Sequence, residues 1–176
     1  MANTNTIYSA KRAAALTNPI TANVTFLQAD NSAKAAAVFV PDQWQENTVA
    51  GSLAMRLLCW GRVTSGTSGN VTVAVQFGTA TSGNTTIFTS SAAAYSVNGN
   101  YFFSADLLWD VTSKLMNGMY YGWATSAGTA ITPATITQLA AKDFSTNGLG
   151  FTAAGFFGTS NAGNILYLDG LTLGVI

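Results

Sequence analysis

The chain has 176 residues, 48% of them hydrophobic and only 8% charged; seven basic and seven acidic side chains cancel, and histidine is absent. Ordinary soluble domains carry charge on about a quarter of their residues, so this chain lacks the cationic density that phosphate neutralisation demands, and nucleic acid is not expected as a partner. A single cysteine and no histidine exclude an intrachain disulfide and the usual Cys/His zinc site.

Residues 1–30 are rich in Asn, Thr and Ala, are interrupted by Pro19 and show no clear hydrophobic period. Lys11 and Arg12 precede no signal-peptide core, because Asn18 and Pro19 break the apolar run, and synthesis in a cytoplasm is expected. Ile7, Tyr8, Ile20, Val24, Phe26 and Leu27 are apolar enough to anchor the segment. It reads as an extended arm docked on a neighbouring subunit, the plain alternative being a floppy terminus. The alanines between Lys11 and Leu16 favour a helical turn or two. No membrane partner is expected: the chain has no run of about 18 apolar residues for a helix, and no aromatic girdles for a membrane barrel.

From about residue 33, short extended runs alternate with Gly, Asn, Ser and Thr, the signature of an all-β fold, and residues 31–176 read as a single antiparallel β-sandwich domain. Residues 35–40 form a strand that stops at Pro41. The run Ser52 to Val63 places Leu53, Met55, Leu57, Cys59 and Val63 on one face and Arg56, Trp60 and Arg62 on the other. Val71, Val73, Val75 and Phe77 alternate with Thr72, Ala74 and Gln76 in a half-buried strand, bracketed by two Thr-Ser-Gly-Asn turns. Residues 85–89, 95–97 and 101–112 continue the pattern, the last with Tyr101, Phe103, Ala105, Leu107 and Trp109 on one face. Residues 114–123, with Asn117-Gly118 inside them, read as a single strand carrying a bulge in preference to the hairpin that this dipeptide signals. Residues 134–140, 151–157 and 165–176 complete about eight to ten strands, which fits a jelly roll or a related Greek-key sandwich. With so few charges its edges are poorly protected, and oligomerisation would cover them.

Without histidine, a Ser-His-Asp or Cys-His device is impossible, and no enzymatic activity is expected. Cys59 lies on an inward strand face, as an inert packed thiol. Asp106 and Asp110 share a strand face, but four residues separate their α-carbons by about 13 to 14 Å, beyond glycosidase spacing, so both read as solvated or arginine-paired acids. Trp44, between Asp42 and Glu46, offers a small sugar-binding or subunit-binding surface, against the plainer reading of a polar loop with one buried tryptophan. Asp169-Gly170 reads as an ordinary turn pair, and the glycines around Gly148 and Gly150 lack the strand-to-helix unit of a phosphate loop. No metal and no cofactor is expected.

The signal-free Asn/Thr/Ala leader, the long strand SLAMRLLCWGRV, the turn-bracketed VTVAVQFGTATSGNTTI and the closing GFTAAGFFGTSNAGNILYLDGLTLGVI together resemble the small virion structural proteins of tailed bacteriophages. Within that group the chain looks most like a capsid decoration, or cement, protein. The resemblance implies a jelly-roll or β-sandwich module, commonly a homotrimer, made in the host cytoplasm. Such a module sits on the outer capsid surface and reinforces contacts between major capsid protein subunits. On this expectation Ile7, Tyr8, Ile20, Val24, Phe26, Leu27 and Trp44 contact the capsid or a neighbouring subunit. The alternative is a tail-fibre or head-fibre receptor-binding module, whose loops Gly78 to Asn84 and Gly158 to Asn164 would meet host glycans.

Overall fold

A computed structural model of the chain describes residues 8–10, 14–17, 24, 26, 37–39, 52–64, 69–77, 84–89, 93–95, 98–110, 115–125, 129–139 and 150–175. Every regular element among them is a strand: β1 (Tyr8–Ala10), β2 (Ala14–Thr17), β3 (Ala37–Phe39), β4 (Ser52–Thr64), β5 (Gly69–Phe77), β6 (Thr85–Thr89), β7 (Ala93–Tyr95), β8 (Asn98–Asp110), β9 (Leu115–Thr125), β10 (Thr129–Leu139), β11 (Gly150–Phe157) and β12 (Ile165–Val175). The larger sheet has the order β1-β12-β4-β8-β9-β10, with β2 also paired to β12. The smaller has the order β3-β11-β5-β6, with β7 also paired to β5. All the pairings are antiparallel, and the sheets form an all-β sandwich around one core.

The long-range pairs β4 with β12 and β5 with β11 join early and late parts of the chain, while β8, β9 and β10 follow one another as a meander. Asn117-Gly118 lies inside β9, whose register with β8 runs unbroken from Leu115 to Thr125, so the single strand prevails over the hairpin and carries no bulge against β8. Strand period sets the core. Met55, Leu57, Cys59 and Val63 of β4, together with Tyr101, Phe103, Ala105 and Leu107 of β8, point inward. They meet Val71, Val73, Val75 and Phe77 of β5 and Phe151, Ala153 and Phe157 of β11 in one buried cluster. Phe77 and Phe151 pack edge-on at 5.5 Å.

One inward contact fixes a glycine. The Tyr101 hydroxyl donates to the Tyr167 carbonyl at 2.6 Å, reaching from β8 across β4 to β12. Gly61 lies directly beneath, paired with Tyr101, and any Cβ there would collide with both the phenol and that carbonyl.

The leader differs from expectation in two places. Ala14–Thr17, within reach of the expected helical turns, is instead a strand on β12 that brings Leu16 into the core; backbone pairing and burial outweigh alanine's helix preference. Phe26 is completely buried, and its N–H donates to Ala153 O at 3.0 Å while Val24 O accepts from Gly155 N at 3.0 Å. Val24 and Phe26 therefore serve the chain's own sandwich, where a contact to a neighbour was expected. Tyr8 pairs with Leu173 through its backbone. Ile7, Ile20, Leu27 and Trp44 lie outside the described residues.

Candidate functional site

The outer face of the larger sheet carries the chemistry, and it divides into two halves along β4. In the first half Arg56 and Asp106 are cross-strand partners, with Nε and Nη2 donating to the two carboxylate oxygens at 2.6 and 2.9 Å. The hydrogen bonds from Arg56 hold the Asp106 carboxyl below its ordinary pKa. This is the arginine-paired arrangement expected for that acid, and it fixes Asp106 as an ionised acceptor. Beside the pair, Leu108 and Met119 stand on the same face, 44% and 54% exposed. Register sets Met119 opposite Asp106 on β9, next to Leu108.

The second half is organised by a bulge in β12. Leu168 pairs with Gly61 and Gly170 with Trp60, so Asp169 is the extra residue. Leu168 and Leu171 are both fully buried in the core, which leaves Asp169 and Gly170 together on the outer side. The expected turn pair is thus a bulge inside a strand.

Its consequences are local and specific. Asp169 accepts hydrogen bonds from Arg62 Nε and Nη2 at 2.8 and 2.9 Å. The same guanidinium carbon lies 4.6 Å from the centre of the Tyr167 ring, and the pairing raises the arginine's pKa further. The Trp60 indole covers Gly170, where a Cβ would collide with its six-membered ring. Register then lines up Gly170, Trp60 and Phe102 in one row across three strands and Tyr167, Arg62 and Asn100 in the next. An aromatic row beside a polar row borders a depression of about 490 Å³ whose lining includes Trp60, Arg62, Asn100, Phe102 and Asp169.

Other sequence candidates have structural roles. Cys59 is buried, and desolvation pushes its thiol pKa up to about 12, so it remains protonated at neutral pH. In the closing loop, Asn161 Oδ1 accepts from Gly163 N at 2.8 Å and Asn164 Nδ2 donates to Thr159 O at 2.8 Å. These amides therefore shape the loop itself. Among the described residues, Trp60 borders the same depression as the Arg62–Asp169 pair. Its partnership with Asp169 and Gly170 was missed, although the leucine pattern at 166, 168, 171 and 173 changes parity at that dipeptide.

Comparison of the chain with protein-family models, with curated proteins and with solved structures gives no match in any of the three.

Proposed function

We propose that the protein is a non-enzymatic virion structural protein of the decoration type, binding the outer surface of a phage capsid and reinforcing contacts between major capsid protein subunits. The observation that carries the reading is the exposed Leu108–Met119 patch on the larger sheet, bordered by the mutually neutralised Arg56 and Asp106. An apolar centre with a polar margin is the anatomy of an association surface, in which methionine and arginine are enriched. The low charge of the chain and the resemblance drawn from its sequence support the same reading. Contact is assigned to this sheet face because Leu16 and Phe26 of the leader are already committed to the core. Homotrimer formation belongs to the proposal, since many copies in register multiply weak contacts.

The test uses capsids that lack the protein. Wild-type chain added back is expected to saturate them, and a Leu108→Asp, Met119→Asp double variant is expected to bind them with a Kd at least about tenfold weaker, equivalent to 1.4 kcal/mol, with an unchanged urea midpoint. A wild-type chain that does not bind, or a folded double variant with the wild-type Kd, overturns the proposal.

A further inference from the structure

We propose that the depression at the β12 bulge is a binding site for neutral carbohydrate, with Trp60 as the stacking platform and the Arg62–Asp169 pair as the hydrogen-bonding edge. The inference does not rest on the capsid reading, which uses the other half of the sheet.

A pyranose presents an apolar face of C–H groups and a rim of hydroxyls, each both donor and acceptor. It needs a flat apolar surface next to an edge that offers donors and acceptors together. The six-membered ring of Trp60 lies against Gly170, and the half-buried indole borders the depression. At the adjoining edge, Arg62 uses two of its five N–H donors on Asp169, leaving three, and each Asp169 oxygen that receives one hydrogen bond retains acceptor capacity. Stacking on Tyr167 and bidentate pairing hold this edge in place before any ligand arrives, which lowers the entropic cost of binding. The depression falls within the roughly 300–1,000 Å³ range of small-ligand sites.

Charge selects the class of ligand. Asp169 cancels Arg62, so the edge has no net attraction for phosphate or a sialic acid carboxylate. A nucleic-acid base also stacks on tryptophan, but its backbone needs the cationic groove that this site lacks.

The experiment is a glycan array carrying both neutral and anionic glycans, probed with the full chain and followed by titration with the best neutral glycan. Selective binding to neutral glycans with Kd of about 10 mM or tighter is expected. Trp60→Ala and Asp169→Asn are each expected to weaken it roughly tenfold or more, Trp60→Phe less, and Met119→Ser not at all. Trp60→Phe retains a ring over Gly170 and remains informative if Trp60→Ala fails to fold. Absence of binding to every neutral glycan, preference for anionic glycans, or binding untouched by both Trp60→Phe and Asp169→Asn would overturn the site. Its failure would leave Leu108 and Met119 unaddressed, so the two proposals fail separately.

Discussion

The two sheets pack their inner faces alike and treat their outer faces differently. In the smaller sheet, the outward residues Ala74 and Gln76 of β5 and Thr152 and Ala154 of β11 are buried, so the centres of these strands are closed on both sides. In the larger sheet Ser104 is buried on the outer side too, but Arg56, Arg62, Leu108 and Met119 around it stand exposed. The charged side chains among those described, Arg56, Arg62, Asp106 and Asp169, all sit on this open face, and each is paired. Alternation alone does not distinguish the sheets, because β5 alternates as cleanly as β4. What separates them is the chemistry of the second face: neutral Ala, Thr and Gln tolerate enclosure, even with Gln76 Oε1 left without a partner, whereas arginine and aspartate require water or a partner.

The comparison breaks most severely at Phe26, whose segment bonds to the edge of β11 and whose ring fills the core. Phe26→Ala is expected to cost about 3–5 kcal/mol, read as a lowered urea midpoint at unchanged m-value. Deleting residues 2–28 removes Leu16 as well as Phe26 from the core and should impair folding itself, not merely one contact. A loss below about 1 kcal/mol for Phe26→Ala would make the leader an appendage after all.

A sharper contrast comes from one substitution made on each sheet. Ala74→Lys forces a cation into the closed outer side of β5 and is expected to cost about 3 kcal/mol or more. Ala54→Lys enters the partly open side of β4 and should change stability by about 0.5 kcal/mol or less. Equal losses in thermal or urea unfolding would erase the distinction between the sheets.

Strand positions and inward faces were largely legible in the sequence, since period two is a local property: Met55, Leu57, Cys59 and Val63 of β4 are inward as alternation expects, the side chain of Leu53 lying outside those described. Partner choice was not, because alternation states which way a side chain faces and not which strand lies beside it. That β4 lies between β8 and β12 depends on residues 34 to 58 positions away on one side and more than a hundred on the other. The helical turns expected up to Leu16 give way to a strand for a related reason. Asn, Thr and Ala specify little locally, and the strand at Ala14–Thr17 exists because β12 offers it an edge. The candidate site needed both kinds of information: Trp60 and Arg62 were placed outward correctly, but their grouping with Asp169 required the bulge that shifts β12 by one residue.

The smallest expected effect tests whether the open face is held by its charges or merely tolerates them. Arg56 and Asp106 have side chains 45% and 42% exposed, so solvent screens the pair and its worth is about 1 kcal/mol or less despite the bidentate geometry. The Asp106 carboxyl is held below its ordinary value by Arg56, meaning that the folded state binds its proton less readily than the unfolded state. By linkage, the contribution is fully present above the unfolded carboxylate pKa, about 3.9, and disappears as pH falls through the depressed folded value. Asp106→Asn should therefore lower the urea midpoint slightly near neutrality, and its difference from wild type should shrink as acid protonates the native carboxyl. Arg56→Gln should reproduce that pH profile, and the double variant should lose no more than either single one. A difference from wild type that stays constant down to the acid transition would assign the effect to packing along β8, and the pair would then mark the border of the open face without stabilising it.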